Sequence, residues 1–334
     1  MLQSISINPG FALLAGAIVA FAAPRPLRSL VMALAPLATL ALVLWRPFGE
    51  YRGFSQIGLE IIRFRIDELS LVIGLHFAIT AILIGVAAGA RNDRNEDAAI
   101  LAMGGGAATA AFSGDLITFV AASELSALAG FWIILTAGGR APFEAGLRFL
   151  IWQGLGGLLL LCGVAFHLAD GFDNAFARLP ADSLGGGFLM AGLVIKAAGP
   201  LVHVWFKEAA AQASPIGAAA IAAFSSPLAL YALMRGYAGE EALAVIGSAA
   251  ALIGAIYALA EDNMRRALGY SAISQAGLIM AGLGTGAPGE GQTPGLAGAV
   301  LHTLTMGIAY FLMFAALGAT ERGEGAIRAS RVRA

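Results

Sequence analysis

Long apolar runs recur along the whole sequence and constrain its fold more than any other feature. Most runs have about 17 to 25 residues, and an α-helix of that length crosses a hydrocarbon core about 30 Å thick. Charged residues make up only 12% of the 334 residues, whereas an average soluble domain has about 25%. The sequence therefore predicts an integral membrane protein built from helices.

The apolar runs, bounded by charge, glycine or proline, divide the chain into predicted spans. They are 10–24, 28–45, 69–90, 97–113, 115–138, 145–168, 185–211, 214–235, 241–260, 266–284 and 293–319. The predicted fold class is all-α, a polytopic membrane helix bundle of about 11 transmembrane helices.

The arginines predict how the bundle is oriented. With the N-terminus outside, twelve arginines fall in the inside loops and tail, and six fall in the outside loops. Because cytoplasmic loops carry an excess of Lys and Arg, we expect a multi-pass protein of the cell inner membrane with its N-terminus outside and its C-terminus inside. The loop at 46–66 is an exception rich in both signs, and its alternation near 57–66 predicts a short extramembrane hairpin.

Two charged residues lie deep within apolar stretches of the predicted spans. Lys196 lies in GFLMAGLVIKAAGP, residues 187–200, and Glu124 lies in FVAASELSALAGFWIIL, residues 119–135. A charge at membrane depth costs at least a few kcal/mol, and such residues usually mark ion or proton pathways. One acid and one amine in this setting predict charge movement across a bilayer.

The seventh span carries signs of an interruption. Pro200 removes a backbone hydrogen bond in mid-span. The other polar side chains of this span are those of Lys196, His203, Lys207 and Glu208. Interrupted helices at membrane depth are tolerated where protein or water surrounds them, and transporters use them to build ion sites. We predict a broken seventh helix.

Several other polar residues are predicted to have structural roles. Asp115 follows Gly114 and predicts a helix N-cap. The segment EDNMRR at 261–266 predicts a cytoplasmic helix start that anchors the chain. Hydrogen bonds between helices are predicted for Tyr270, Ser271, Ser274 and Gln275.

Three segments carry a recognisable pattern of charged, aromatic and hydroxyl residues. They are GDLITFVAASEL at 114–125, KAAGPLVHVWFKEAAAQASP at 196–215 and EDNMRRALGYSAISQAG at 261–277. Together they resemble the antiporter-like membrane subunits shared by respiratory complex I, membrane-bound hydrogenases and Mrp-type cation/proton antiporters. The resemblance covers about residues 65 to 320, and within the family the branch of Mrp-type Na⁺/H⁺ antiporters and hydrogenases is the most similar.

The resemblance implies a function and the residues that perform it. Glu124 falls on the glutamate that begins the family's proton path, and Lys196 falls on its lysine partner. The proton pathway expected from the resemblance and the polar residues near it consists of Glu124, Lys196, His203, Lys207, Glu208 and His302. The implied function is to translocate protons, or to exchange them for a monovalent cation such as Na⁺, as one membrane subunit of a larger complex.

The implied organisation has three parts. N-terminal membrane helices occupy 1–95, a proton-conducting antiporter-like membrane domain occupies 96–320, and a polar cytoplasmic tail occupies 321–334. The implied partners are other membrane subunits of an Mrp-like or complex I-like assembly, protons and possibly Na⁺ as transported ions, and the lipid bilayer.

The sequence departs from the family pattern at three pathway positions. Pro227 stands where a lysine is expected, Met306 where a second histidine is common, and Tyr310 where a central lysine is expected. The sequence also stops near 334, before the helices that carry the terminal residue of the second half-channel in the family. We therefore expect a shortened subunit that forms a half-channel, which partner chains complete.

Other functions stay open on the sequence alone. The acid and the amine could form a fixed salt bridge, since removing one partner of a buried pair is costly even where the pair does no work. The chain could then be a membrane scaffold that conducts nothing, or the membrane arm of a redox or inorganic-carbon-uptake complex. The sequence has no ligand spacing for a metal or haem and no phosphate loop or nucleophile motif, so we expect no cofactor and no catalytic site. The formal net charge of −1 gives no basis for binding nucleic acid.

Overall fold

The computed structural model describes residues 7–56, 59–89, 93–286 and 294–324. Twelve α-helices and one antiparallel hairpin are formed by these residues. Most of the tail predicted at 321–334 lies outside the described residues. Together with the apolar helices, this architecture confirms the predicted all-α membrane bundle.

The helices follow the predicted runs closely. They are α1 Phe11–Ala22, α2 Arg25–Trp45, α3 Glu68–Gly89, α4 Arg94–Ala111, α5 Leu116–Thr136, α6 Arg140–Ala169, α7 Leu184–Lys196, α8 Val204–Gln212, α9 Pro215–Tyr237, α10 Glu241–Ala260, α11 Met264–Leu283 and α12 Pro294–Glu324. Among the described residues, seven helices are long and apolar enough to cross a membrane: α2, α3, α5, α6, α9, α10 and α12. The number of eleven membrane crossings therefore stays a prediction.

The hairpin predicted near 57–66 is formed by β1 Gly49–Gln56 and β2 Leu59–Ile66. Its strands pair antiparallel, with Gly49 opposite Ile66, and the register shifts twice along the pair. Phe64 and Ile66 are buried in a small apolar cluster with Val43 of α2. The hairpin is thus attached to the end of the bundle.

The seventh predicted span is broken, as Pro200 predicted. Helix α7 ends at Lys196 and α8 begins at Val204. Between them Ala198 and Leu201 have φ angles of 64° and 68°. A left-handed conformation costs a residue with a side chain about 1–2 kcal/mol, so this turn is strained.

Helix α9 is the centre of the bundle. Its most apolar 18-residue window is 100% buried inside the protein, whereas the corresponding window of α10 is 22% buried. It packs against α3, α4, α5, α7, α8, α11 and α12. Small residues in its first half, such as those of the sequence GAAAIAA, allow these helices to approach closely.

Charged side chains pair at the two ends of the bundle. The pairs at one end are Arg28 with Asp97, Arg148 with Glu208, and Arg265 with Glu321. The pairs at the other end are Asp67 with Arg235, and Arg178 with Glu240. These ends carry the arginines predicted to lie inside and outside respectively. Which end faces the cytoplasm stays a prediction.

Asp67, which directly precedes α3, ties that helix to the end of α9. Arg235 donates hydrogen bonds to both carboxylate oxygens of Asp67, each at 2.8 Å, and its Nε donates to the hydroxyl of Tyr231 at 2.8 Å. Burial alone would raise the pKa of Asp67, but the hydrogen bonds and charge of Arg235 outweigh it and hold this pKa well below 3.8. The carboxylate is therefore ionised at any physiological pH.

Candidate functional site

Lys196 and Glu124 are in contact in the middle of the bundle. The Nζ atom of Lys196 lies 2.7 Å from Oε1 of Glu124, and the side chains are 5% and 30% exposed. Helix α7 supplies the amine and α5 supplies the carboxylate. The two residues that the sequence singled out therefore form an ion pair.

The break after α7 explains why an amine is stable at this position. Lys196 is the last residue of α7. The carbonyls at a helix C-terminus carry partial negative charge and favour a cation. One of these carbonyls, that of Ile195, accepts a hydrogen bond of 3.2 Å from the indole of Trp205 in α8. The broken helix thus fixes both the end of α7 and the place of the ammonium group.

Gln153 of α6 connects the ion pair to α9. The Nζ atom of Lys196 donates to Oε1 of Gln153 at 3.3 Å, and Nε2 of Gln153 donates to the hydroxyl of Ser225 at 3.4 Å. Within the described part of the chain, Oε1 of Glu124 makes no hydrogen bond of good geometry, so the ion pair alone holds it. Gln153 was not among the predicted pathway residues, although a glutamine inside the apolar run FLIWQGLGGLL was a signal.

Two glycines of α6 provide the room for the ion pair. A methyl group on Gly157 would lie 2.3 Å from Oε1 of Glu124, and one on Gly156 would lie 2.9 Å from Cγ of Lys196. Any larger residue at either position would require the charged side chains to move. These glycines were not predicted to matter, because many of the 44 glycines lie in similar apolar surroundings.

A small cavity lies beside Lys196. It is lined by Phe119, Ser123, Ser126, Ala127, Gln153, Leu193, Lys196, Ser225, Leu228 and Ala229. It offers about 10 Å³ for the centre of a water molecule, which is room for about one water. The polar groups that line it give such a water hydrogen-bond partners.

Glu208 of α8 lies among positively charged side chains from α6, α8 and α11. Its carboxylate is 3.2 Å from Lys207, 3.8 Å from Arg148 and 3.9 Å from Arg266. The ammonium of Lys207 also lies 5.4 Å from the ring centroid of Tyr270. Because Arg148 and Arg266 belong to the predicted inside group, this cluster lies at the inside end of the predicted path.

His203 occupies the turn before α8. Its side chain is buried, and its ring centroid lies 6.3 Å from that of Tyr257 and 6.0 Å from that of Tyr270. Its Nδ1 has no hydrogen-bond partner among the described residues. Tyr270 thus separates His203 from Lys207 on one side of the broken helix.

His302 of α12 is hydrogen bonded to α11, whereas the ion pair joins α5 and α7. Its Nε2 lies 2.8 Å from Oε1 of Gln275, and the hydroxyl of Tyr310 donates to Ser271 at 2.8 Å. These bonds join α11 to α12, as predicted for Gln275 and Ser271. The six predicted pathway residues therefore fall into three groups: the ion pair, the residues around α8, and His302.

The chain matches a family model described as NADH:quinone oxidoreductase/Mrp antiporter, TM, over residues 113–331. It is 32% identical to NADH-quinone oxidoreductase subunit N of Rhodopseudomonas palustris (strain BisA53) over 232 residues, which cover 65% of this chain and 50% of that protein. A match to subunit N 1 of Rhizobium meliloti (strain 1021) is 26% identical and covers 89% of this chain and 64% of that protein. The chain spans about half the length of the first of these relatives.

Solved structures share the fold. A chain in the structure of the Mrp complex from Dietzia sp. DQ12-45-1b superposes with a TM-score of 0.84 at 23% identity, covering 98% of this chain and 66% of that one. A chain of respiratory complex I from Thermus thermophilus with bound NADH gives a TM-score of 0.80 at 21% identity, covering 97% and 73%. At these identities the similarity shows the arrangement of helices.

Proposed function

Because this chain belongs to the NADH:quinone oxidoreductase/Mrp antiporter transmembrane family, we propose that it translocates protons, or exchanges them for a monovalent cation such as Na⁺. The observation that carries the proposal is the contact of 2.7 Å between Lys196 and Glu124 beside a cavity with polar walls. Ionisable residues inside membrane spans are expensive to keep and usually mark ion or proton pathways.

The ion pair couples two protonation events. A proton that arrives at Glu124 neutralises the carboxylate and removes the charge that stabilises the ammonium of Lys196. In low-dielectric surroundings an unpaired ammonium is strongly disfavoured, so Lys196 releases its proton to the water in the adjacent cavity. Return of the pair to its charged state requires Glu124 to lose its proton and Lys196 to regain one.

Gln153 positions the amine of Lys196 through these steps. Its side-chain oxygen accepts from Lys196 whether the amine is charged or neutral, because both forms carry N–H donors. Its amide nitrogen is bonded to Ser225, which fixes the orientation of the amide. Gln153 keeps the amine in place without itself changing charge.

The remaining pathway residues form an entrance from the predicted inside. Glu208 and Lys207 lie at that end of the broken helix, and His203 lies one step further along the chain toward Lys196. Glu208 is surrounded by the positive charges of Lys207, Arg148 and Arg266. We propose that these residues and the ion pair form one half-channel, and that His302 with Gln275 lies on the way out of it.

The proposed partners are other membrane subunits of an Mrp-like or complex I-like assembly in the cell inner membrane, with the N-terminus of this chain outside. The similar proteins support this, since one relative is a subunit of NADH-quinone oxidoreductase and a structurally similar chain is part of an Mrp complex. The partial exposure of Glu124 also supports a partner, because a carboxylate that is 30% exposed is costly beside lipid.

Substitution of the ion pair tests the proposed function. In vesicles that contain the native assembly, E124Q and K196M should each lower proton transport per assembled complex at least about tenfold, as expected for loss of an essential proton carrier. The control is D182N, in the loop before α7, which removes an exposed carboxylate. Full transport by E124Q and K196M would mean that the chain is a scaffold.

A further inference from the structure

His76 is a buried histidine that the steps above do not use. It lies in α3 and is 2% exposed. Within the described ranges, neither of its ring nitrogens has a hydrogen-bond partner of good geometry. Buried polar groups are nearly always hydrogen bonded, because leaving one unpaired costs free energy. An imidazole without a firm partner at this depth calls for a functional explanation.

Two neighbouring helices shape the space around the imidazole. On α12, a methyl group at Gly307 would lie 2.2 Å from Cε1 and 2.6 Å from Nε2 of His76. On α9, the ring faces the backbone carbonyl of Ala223. The residues that follow His76 on α3 and Ala223 on α9 also pack together, with the ring centroids of Phe77 and Phe224 5.9 Å apart. The imidazole therefore sits where α3, α9 and α12 meet, and only glycine at position 307 leaves room for it.

The carbonyl of Ala223 lacks its helical donor because of Pro227. In an α-helix the carbonyl of one residue accepts from the N–H four residues later, and proline has no N–H. Carbonyls freed in this way inside membrane helices are satisfied by nearby side chains or by ordered water. His76 is placed to satisfy this one, directly or through one water molecule.

His76 and the cavity beside Lys196 lie on opposite sides of α9. Ala223 and Pro227 are four residues apart and share one face of the helix. Ser225 and Ala229, which line the cavity, lie about half a turn away from that face. The interruption in the hydrogen bonding of α9 thus lies between His76 and the cavity beside Lys196.

The position of His76 also matches what α9 and α12 lack. Pro227 and Tyr310 stand where the family pattern predicts lysines, and the helices that carry them both pack against α3. An imidazole on α3 brings a titratable group to the same junction of helices. It can take up a proton at one ring nitrogen and release one from the other, so that it returns to its neutral form and consumes no other group.

We propose that His76 is a proton-carrying residue of this chain, which takes up and releases protons at the junction of α3, α9 and α12. The carbonyl of Ala223 orients the ring, and Gly307 leaves room for it. The inference rests on the proposed function and adds to it a titratable group beyond the ion pair.

The variant H76Q tests the role, since glutamine keeps hydrogen-bonding groups but cannot carry a proton at neutral pH. Proton uptake is measured in inside-out vesicles that contain the native assembly, and is divided by the amount of assembled complex on a native gel. We expect H76Q to lower transport per complex at least about tenfold. The matched control is H167Q at the end of α6, which removes another buried histidine and should leave transport unchanged.

The ion-pair variant E124Q is measured in the same series, so that the two ideas can fail separately. Wild-type transport by H76Q together with an inactive E124Q overturns the role of His76 and leaves the proposed function standing. Wild-type transport by both overturns both.

If H76Q does not assemble, G307A decides the matter. It leaves His76 in the sequence, but a methyl group at position 307 would lie 2.2 Å from Cε1 of the imidazole, so the ring has to leave its place. Lower transport per assembled complex supports the inference, and unchanged transport overturns it.

Discussion

Gly157 of α6 faces the carboxylate of Glu124 so closely that a methyl group on its α-carbon would lie 2.3 Å from Oε1. Gly156 stands in the same relation to the aliphatic stem of Lys196. The ion pair therefore depends on a third helix that touches both of its members without contributing a charge. The geometry of the pair can be changed without altering either charged residue.

The variant G157A should displace Glu124 from Lys196. Because the added methyl group overlaps the carboxylate, we expect transport per assembled complex to fall about tenfold and stability to fall by about 1–3 kcal/mol. Proton uptake in vesicles and thermal unfolding measure the two effects. The control is G154A on the same helix, where a methyl group would meet nothing within 4 Å. Equal behaviour of the two variants would show that the close approach has no consequence.

Single and double substitutions of the ion pair should differ in stability. E124Q leaves the ammonium of Lys196, 5% exposed, without its counter-charge, whereas K196M leaves the carboxylate of Glu124, 30% exposed. Removing one partner of a buried pair costs about 3–5 kcal/mol, and we expect E124Q to be the less stable variant.

The double variant E124Q/K196M should recover most of this loss, because no unpaired charge remains, while its transport stays abolished. Thermal unfolding of the four proteins completes the cycle. Additive losses of stability would mean that the two side chains do not interact.

The ion pair between Asp67 and Arg235 should make a contribution to the free energy of unfolding that depends on pH. The pKa of Asp67 is lowered below its usual 3.8, because the hydrogen bonds and charge of Arg235 outweigh the effect of burial. The folded state then binds fewer protons than the unfolded state, so the contribution is complete above pH 3.8 and is lost as the pH falls below it. At neutral pH, D67N should lower the unfolding temperature, and its difference from wild type should shrink in acid.

Differential scanning fluorimetry at several pH values measures this dependence. The control is D182N, which removes an exposed carboxylate and should leave the profile unchanged. A difference between D67N and wild type that stays constant into strong acid would contradict the assigned ion pair.

Leu201 should be replaceable by glycine with a gain in stability. Its φ angle of 68° is unfavourable for any residue with a side chain, and the side chain is 82% exposed, so little packing is lost. We expect L201G to stabilise the protein by about 0.5–1 kcal/mol after the greater freedom of glycine in the unfolded chain is subtracted. Thermal unfolding should show the opposite effect for L252G, because Leu252 is 63% exposed in the middle of the regular helix α10.

Apolar length and single residues predict much of this fold. Hydrocarbon thickness fixes how long an apolar run must be, so the predicted runs lie close to the helices. Pro200 located the break correctly, although a missing backbone donor does not decide it alone, because α9 continues through Pro227. The start of α6 was predicted at 145 and is Arg140, since hydropathy does not register a polar first turn that extends beyond the apolar region.

The meeting of Glu124 and Lys196 was also predictable, because the two residues fall on the paired glutamate and lysine of the family that the sequence resembles. Gln153, Gly157 and His76 were not predictable in the same way. Their roles depend on which residues face them on other helices, and a single sequence does not give the distances between helices. For His76 the available signal was a histidine inside an apolar run. A second signal was Pro227 in another run, because a proline leaves the backbone carbonyl four residues before it without its helical donor.

The space beside Lys196 admits about one water molecule. A single molecule cannot form the continuous file of hydrogen bonds along which protons hop through a bilayer. A proton path through this cavity therefore needs side chains, rather than a file of water molecules, to bridge the rest of the membrane.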